Sequence, residues 1–185
     1  MPLQRFDQLR LSAVHPRDVG ARSCADSLAL VRACGLGAGP ANKPWWQPWQ
    51  TARIEWPYGV LHVRDVEVAR RACLLLDGSW DMADAASGAE RLRIRLAALA
   101  ADMAWWRGRQ PGDAWDAGVA RSVNTLMGFW PRRATLIVLE HTALGQTGAL
   151  AQLSQLEQQA SRWPRAVRLV VAGGVPPAFA RPVAA

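Results

Sequence analysis

Two uninterrupted apolar runs, ATLIVLE at residues 134–140 and AVRLVVAGG at 166–174, constrain this chain more than any other feature. Neither alternates between apolar and polar positions. Continuous runs of this length are what strands covered on both faces require, as parallel strands are. Between them lies TGALAQLSQLEQQASRW, in which Leu150, Leu153, Leu156 and Ala160 recur at helical spacing and Gln152, Gln155, Gln158 and Gln159 fall elsewhere. Strand, helix and strand with a crossover of this length predict a βαβ unit over residues 134–172.

The rest of the chain is read around that unit. Residues 24–34, with Cys24, Leu28 and Val31 at helical spacing, predict a first helix capped by Asp18 or Ser23 and stopped by Gly35. Residues 35–50, GLGAGPANKPWWQPWQ, hold too much glycine and proline for regular structure and predict a loop. TARIEW and GVLHVRD, joined through Pro57, Tyr58 and Gly59, predict a hairpin over residues 51–64. A helix capped by Asp65 follows and ends near Gly78. Residues 88–108 predict another, with Leu92, Leu96, Leu99, Met103 and Trp106 as its core stripe. One more is predicted between Asp113 and Gly128. The sum is one α/β domain over residues 1–175, a small mixed sheet wrapped by three or four helices, with a mobile tail at 176–185.

Bulk properties narrow the function classes. A chain of 185 residues can remove roughly 70% of its unfolded surface from water, enough for a real core. No apolar stretch reaches the ~18 residues a spanning helix needs, and residues 1–12 lack a secretory pattern, so a cytoplasmic, non-membrane protein is expected. Cys24, Cys34 and Cys73 form no CxxC and read as buried thiols. His15, His62 and His141 have no partner at ligand spacing, so no metal site is expected, and no cofactor motif is present. The net charge of +7 comes from 21 arginines and one lysine, Lys43. Guanidinium forks suit phosphates and other anions, although a GC-rich bacterial genome yields the same bias.

Glu140, His141 and Thr142 stand where the first apolar run stops, and Gly173 and Gly174 end the second. TLIVLEHTAL followed by LSQLEQQASRWPRAVRLVVAGG resembles the part of P-loop ATPases, of the AAA and RecA-like kind, that runs from the Walker B strand through a helix to the next strand. The resemblance covers about forty residues. It implies a degenerate P-loop-like fold, because Leu139 stands where the family has its magnesium-organising carboxylate, while Glu140 matches the second acidic position. The phosphate cradle G-x-x-x-x-G-K-[ST] is missing: Lys43 sits between Asn42 and Pro44. The expected roles of Glu140 are therefore a strand end paired with Arg168 or Arg133, or a regulatory nucleotide or small-ligand site shared with His141 and Thr142 without hydrolysis.

Ten tryptophans give a second candidate surface. Trp45, Trp46 and Trp49 crowd the loop beside Lys43, and Trp105 adjoins Arg107 and Arg109. Tryptophan and arginine dominate protein binding hot spots, and the same pair stacks on unpaired bases and tracks phosphates. These seven residues are the predicted contact set of a non-enzymatic interaction module in a bacterial multi-protein assembly. A protein partner is expected first, and nucleic acid second. Packing of the 35–50 loop onto the domain is the structural alternative.

Overall fold

The computed structural model describes residues 11–12, 14, 19, 24–36, 56–76, 88–89, 92–93, 96, 100, 115–131, 133–163 and 165–183. In chain order these give α1 (Cys24–Gly35), β1 (Tyr58–Val63), α2 (Val66–Leu76), β2 (Asp116–Ala120), a 3-10 turn (Asn124–Leu126), β3 (Thr135–Glu140), α3 (His141–Leu144), α4 (Ala149–Ala160), β4 (Val167–Ala172) and β5 (Arg181–Pro182). The strands form a five-stranded sheet in the order β2-β3-β4-β1-β5. Every ladder in it is parallel.

The predicted βαβ unit is present as β3, α4 and β4, with Thr135 opposite Val167 and Glu140 opposite Ala172. All six residues of β4 and the first five of β3 are buried, as strands covered on both faces demand. One face carries α1 and α2: Leu30, Val68, Ala69 and Cys73 pack on Leu136, Val138, Val170 and Leu61. The other carries α3, α4 and the 3-10 turn, where Leu153, Leu156 and Leu126 meet Ile137, Leu139 and Leu169. The connection out of β1 runs toward β2 at the far edge and those out of β2 and β3 run the other way. Uniformly right-handed crossovers then put α2 and α4 on opposite faces, which makes the sheet doubly wound.

Several expectations are corrected. The described half departs from the hairpin expected at 51–64: Tyr58 and Gly59, read as its turn, belong to β1, which is flanked by β4 and β5, both parallel, while residues 51–55 lie outside the described set. Four of its six residues are buried, the signature of an inner strand rather than a half-solvated hairpin arm. The sheet is accordingly parallel rather than mixed, with one isolated antiparallel bridge from Ser12 to Val119. Part of the helix expected at 113–128 is instead β2. Gly118 suits it to that place, because a side chain there would meet Leu11 Cβ and the Ser12 carbonyl oxygen, each 2.9 Å from the Cβ position.

In α4 the buried set is Ala149, Leu153, Leu156 and Ala160, and Leu150 is exposed. Steps of four, three and four track the 3.6-residue turn, whereas Leu150 to Leu153 to Leu156 drifts off the core side. In the helix after residue 88, Gly88, Ala89, Leu92, Arg93, Leu96 and Ala100 are helical and exposed, so Leu92 and Leu96 are not core. The sheet surface on each side is already occupied by α1 with α2 and by α3 with α4. Leu99, Met103 and Trp106 lie outside the described residues. From the expected tail, Arg181 and Pro182 pair with Leu61 and His62 of β1, and Ala180 is buried. Cys34 and Cys73 are buried, as expected of them. Among the described residues no helix is long and apolar enough to cross a membrane.

Candidate functional site

In doubly wound sheets ligands bind beyond the carboxyl ends of the strands, where connecting loops converge. Here that end is formed by Arg64 and Asp65 after β1, Arg121 after β2, Glu140 as the last residue of β3 with His141 after it, and Gly173 and Gly174 after β4. β1 ends at Val63 and α2 begins at Val66, leaving only Arg64 and Asp65 between them. A phosphate cradle of the G-x-x-x-x-G-K-[ST] type needs about eight residues at such a turn. Asp65 Oδ1 accepts the Glu67 backbone N–H at 2.8 Å, the capping role predicted for it. The α2 N-terminus therefore already faces the chain's own carboxylates, Asp65 and Glu67, where a bound phosphate would have to sit.

Glu140 is closed off in the same way. Its Oε1 accepts a hydrogen bond from Arg70 Nη2 at 3.1 Å, and Arg70 Nη1 reaches Glu67 Oε1 at 3.4 Å. The three side chains remain between about a third and two fifths exposed, so the triad is a screened surface network. The expected partners are corrected. Arg168 is the second residue of β4 and Glu140 lies opposite the sixth, Ala172, which places them four rungs apart, about 13 Å along the strand. Arg168 is instead buried and donates to the carbonyls of Cys34, Leu36, Trp56 and Val167 at 3.1, 2.7, 2.9 and 3.2 Å. Arg133 pairs with Asp116 at 3.9 Å, at the amino ends of β2 and β3.

His141 and Thr142 are exposed in the four-residue α3. His141 lays its ring against Gly174, so closely that a Cβ at Gly174 would overlap the imidazole. A second imidazole holds the neighbouring residue, with His62 Nε2 3.2 Å from the Gly173 carbonyl oxygen. Gly173 and Gly174 have φ of 83° and 64°, a backbone region that favours glycine. Glu140 and His141 thus engage different elements, α2 and the β4 end. That arrangement does not aim both at one reacting atom.

Lys43, Trp45, Trp46, Trp49, Trp105, Arg107 and Arg109, the predicted partner-binding set, lie outside the described residues. The tryptophans that are described serve packing to different degrees. Trp115 and Trp163 are buried, Trp163 meeting Tyr58 and Phe129 edge-on at 5.9 and 5.8 Å. Trp56 lies 4.2 Å from the Arg168 guanidinium and 4.8 Å from that of Arg181, and its ring rests on Gly59. Trp130 is half exposed. Among the described residues no group of three His, Cys, Asp or Glu side chains could hold a metal ion.

Sequence reasoning missed Arg70, Glu67, His62 and the imidazole grip on Gly173 and Gly174. The three-residue spacing of Glu67 and Arg70 was a visible signal for one half of the triad. The chain matches no family model, no curated protein and no solved structure.

Proposed function

We propose that this chain is a non-enzymatic interaction module of a bacterial, cytoplasmic multi-protein assembly. Its doubly wound core serves as a scaffold, and its work is contact with a protein partner through a basic surface. The observation that carries this reading is the strand-end crevice, where Asp65 caps α2 and Arg70 ties Glu140 to Glu67. Groups that would have to receive a phosphate or poise a water are engaged with each other.

The experiment is affinity capture from the native cell with and without nuclease, comparing the natural chain with Trp46→Ala. A specific protein retained after nuclease and lost in the variant, at unchanged melting temperature, supports the reading. Capture that disappears with nuclease points to nucleic acid, whose binding would also fall steeply with salt.

A second reading, a degenerate P-loop-like domain with regulatory ligand binding, is favoured by Glu140, His141 and Thr142 standing at the carboxyl end of β3 in a doubly wound sheet. It requires thermal stabilisation by a nucleotide, about 2.7 kcal/mol at a hundredfold excess over Kd. Glu140→Ala must abolish that stabilisation.

A further inference from the structure

His62 holds both ends of the segment that leads from β4 to β5. Its Nε2 lies 3.2 Å from the Gly173 carbonyl oxygen, which can only accept, so that nitrogen carries the hydrogen. Its own carbonyl oxygen accepts the Val183 backbone N–H at 3.2 Å. Residues 174–183 thus leave β4, pass to the outer side of β1 and are tied at start and finish to one buried residue.

Between these ties the segment is lightly held. β5 pairs with β1 through Leu61 with Arg181 and His62 with Pro182, whereas β4 pairs with β1 along the whole of Tyr58–Val63. Gly174, Val175, Pro176, Ala178, Phe179, Arg181 and Pro182 are exposed. Ala180 is buried and its N–H donates to the Pro177 carbonyl at 2.9 Å, and the Arg181 guanidinium rests 4.8 Å from the Trp56 ring. A stretch with few buried apolar groups and exposed backbone bonds opens at a lower free energy than the strands it lies on.

We propose that residues 174–183 form a strap that opens and closes as one unit while β1 to β4 stay folded, with His62 as its clasp. Closed, the strap covers the outer edge of β1 at Leu61 and His62 and turns Arg181 and Pro182 outward, residue types that discourage a further strand. Open, it bares backbone groups that can pair with another chain. The strap is a guard on the β1 edge, and His62 sets how often it lifts. Because side chain and carbonyl of one residue hold the two ends, loosening the Gly173 end loosens the Val183 end. A segment that frayed from its C-terminal side would free Val183 and leave Ala180 held.

The test is backbone amide hydrogen exchange of the full chain, followed by NMR. Ala180 and Val183 should show equal protection, about tenfold or more below that of Thr135 and Val167 in the sheet. His62→Ala removes the Nε2 donor but keeps the carbonyl that receives Val183. Exchange at Ala180 and Val183 should nevertheless rise about tenfold, with Thr135 and Val167 unchanged. Arg181→Ala touches no buried group, and the same two amides should speed about two- to fivefold, the share of an exposed cation–π contact. Protection at Ala180 and Val183 that equals the sheet's, or a rise confined to Val183 in either variant, overturns the proposal. If His62→Ala weakens the whole sheet, Arg181→Ala decides alone, and unchanged exchange at both strap amides then overturns it.

Discussion

Arg70 Nη2 lies 3.1 Å from Glu140 Oε1, joining the first turns of α2 to the end of β3 across 70 residues of chain. The bond accounts for the Glu140 carboxylate without any ligand. It is also partly exposed, so its contribution is small. Arg70→Ala and Glu140→Ala should each lower stability by less than about 1 kcal/mol in urea unfolding, with a coupling of about 0.2–1 kcal/mol in the double-mutant cycle. A loss of several kcal/mol from either single change would mean that the triad holds the fold rather than closes the crevice.

Gly174 should resist substitution for two separable reasons. Its φ of +64° strains any L side chain, and a Cβ would enter the His141 ring. Gly174→Ala is expected to cost about 1–3 kcal/mol from the backbone alone. Adding His141→Ala should recover only the steric share, because the backbone strain remains. Full recovery in thermal melts would show that the ring contact was the whole effect.

The sequence made the α/β class and the βαβ unit legible because β3 and β4 are buried on both faces, and that leaves a pattern no half-solvated strand produces. Asp65 as the α2 cap was legible because an aspartate directly before the first helical residue is itself a local signal. β1 and β2 were not. GVLHV and DAGVA are short, and their identity as parallel strands depends on partners more than a hundred and about twenty residues away, respectively, in β4 and β3. The Glu140 partner was hidden likewise, since the register that puts Arg168 four rungs off is set by pairing rather than by local sequence.

Tyr58 should make the fold sensitive to alkali. Its hydroxyl is buried without a hydrogen-bond partner among the described residues. Burial first, and the Glu157 carboxylate second, push its pKa well above the ordinary tyrosine value near 10. The folded state then holds this proton more tightly than the unfolded state. Stability from this group is complete below pH 10 and declines as pH rises above it. Tyr58→Phe should be neutral or stabilising at pH 7, because it removes an unsatisfied buried group, and should flatten the decline above pH 10. Parallel pH profiles for the two proteins would contradict this placement of Tyr58.

Helical phase in α4 gives a paired comparison. Leu153 is buried against the sheet and Leu150, three residues earlier, is 60% exposed. Leu153→Ala should cost about 2–5 kcal/mol, while Leu150→Ala should stay within about 0.5 kcal/mol of the natural chain. Equal losses would mean that the outer side of α4 is covered.

Arg168 should be the least replaceable charged residue in the sheet. One guanidinium serves four carbonyls, from the α1 end at Cys34 and Leu36, from Trp56 and from its own strand, and it also stacks 4.2 Å from the Trp56 ring. Removing it leaves several carbonyl acceptors without their donor, two of them in buried bonds, each worth about 1–3 kcal/mol, so Arg168→Ala is expected to cost about 3–5 kcal/mol. Lysine keeps the charge but lacks the planar fork, so Arg168→Lys should recover less than half of that loss. Denaturant unfolding separates the two cases: if lysine restores full stability, charge rather than fork geometry is what the site requires.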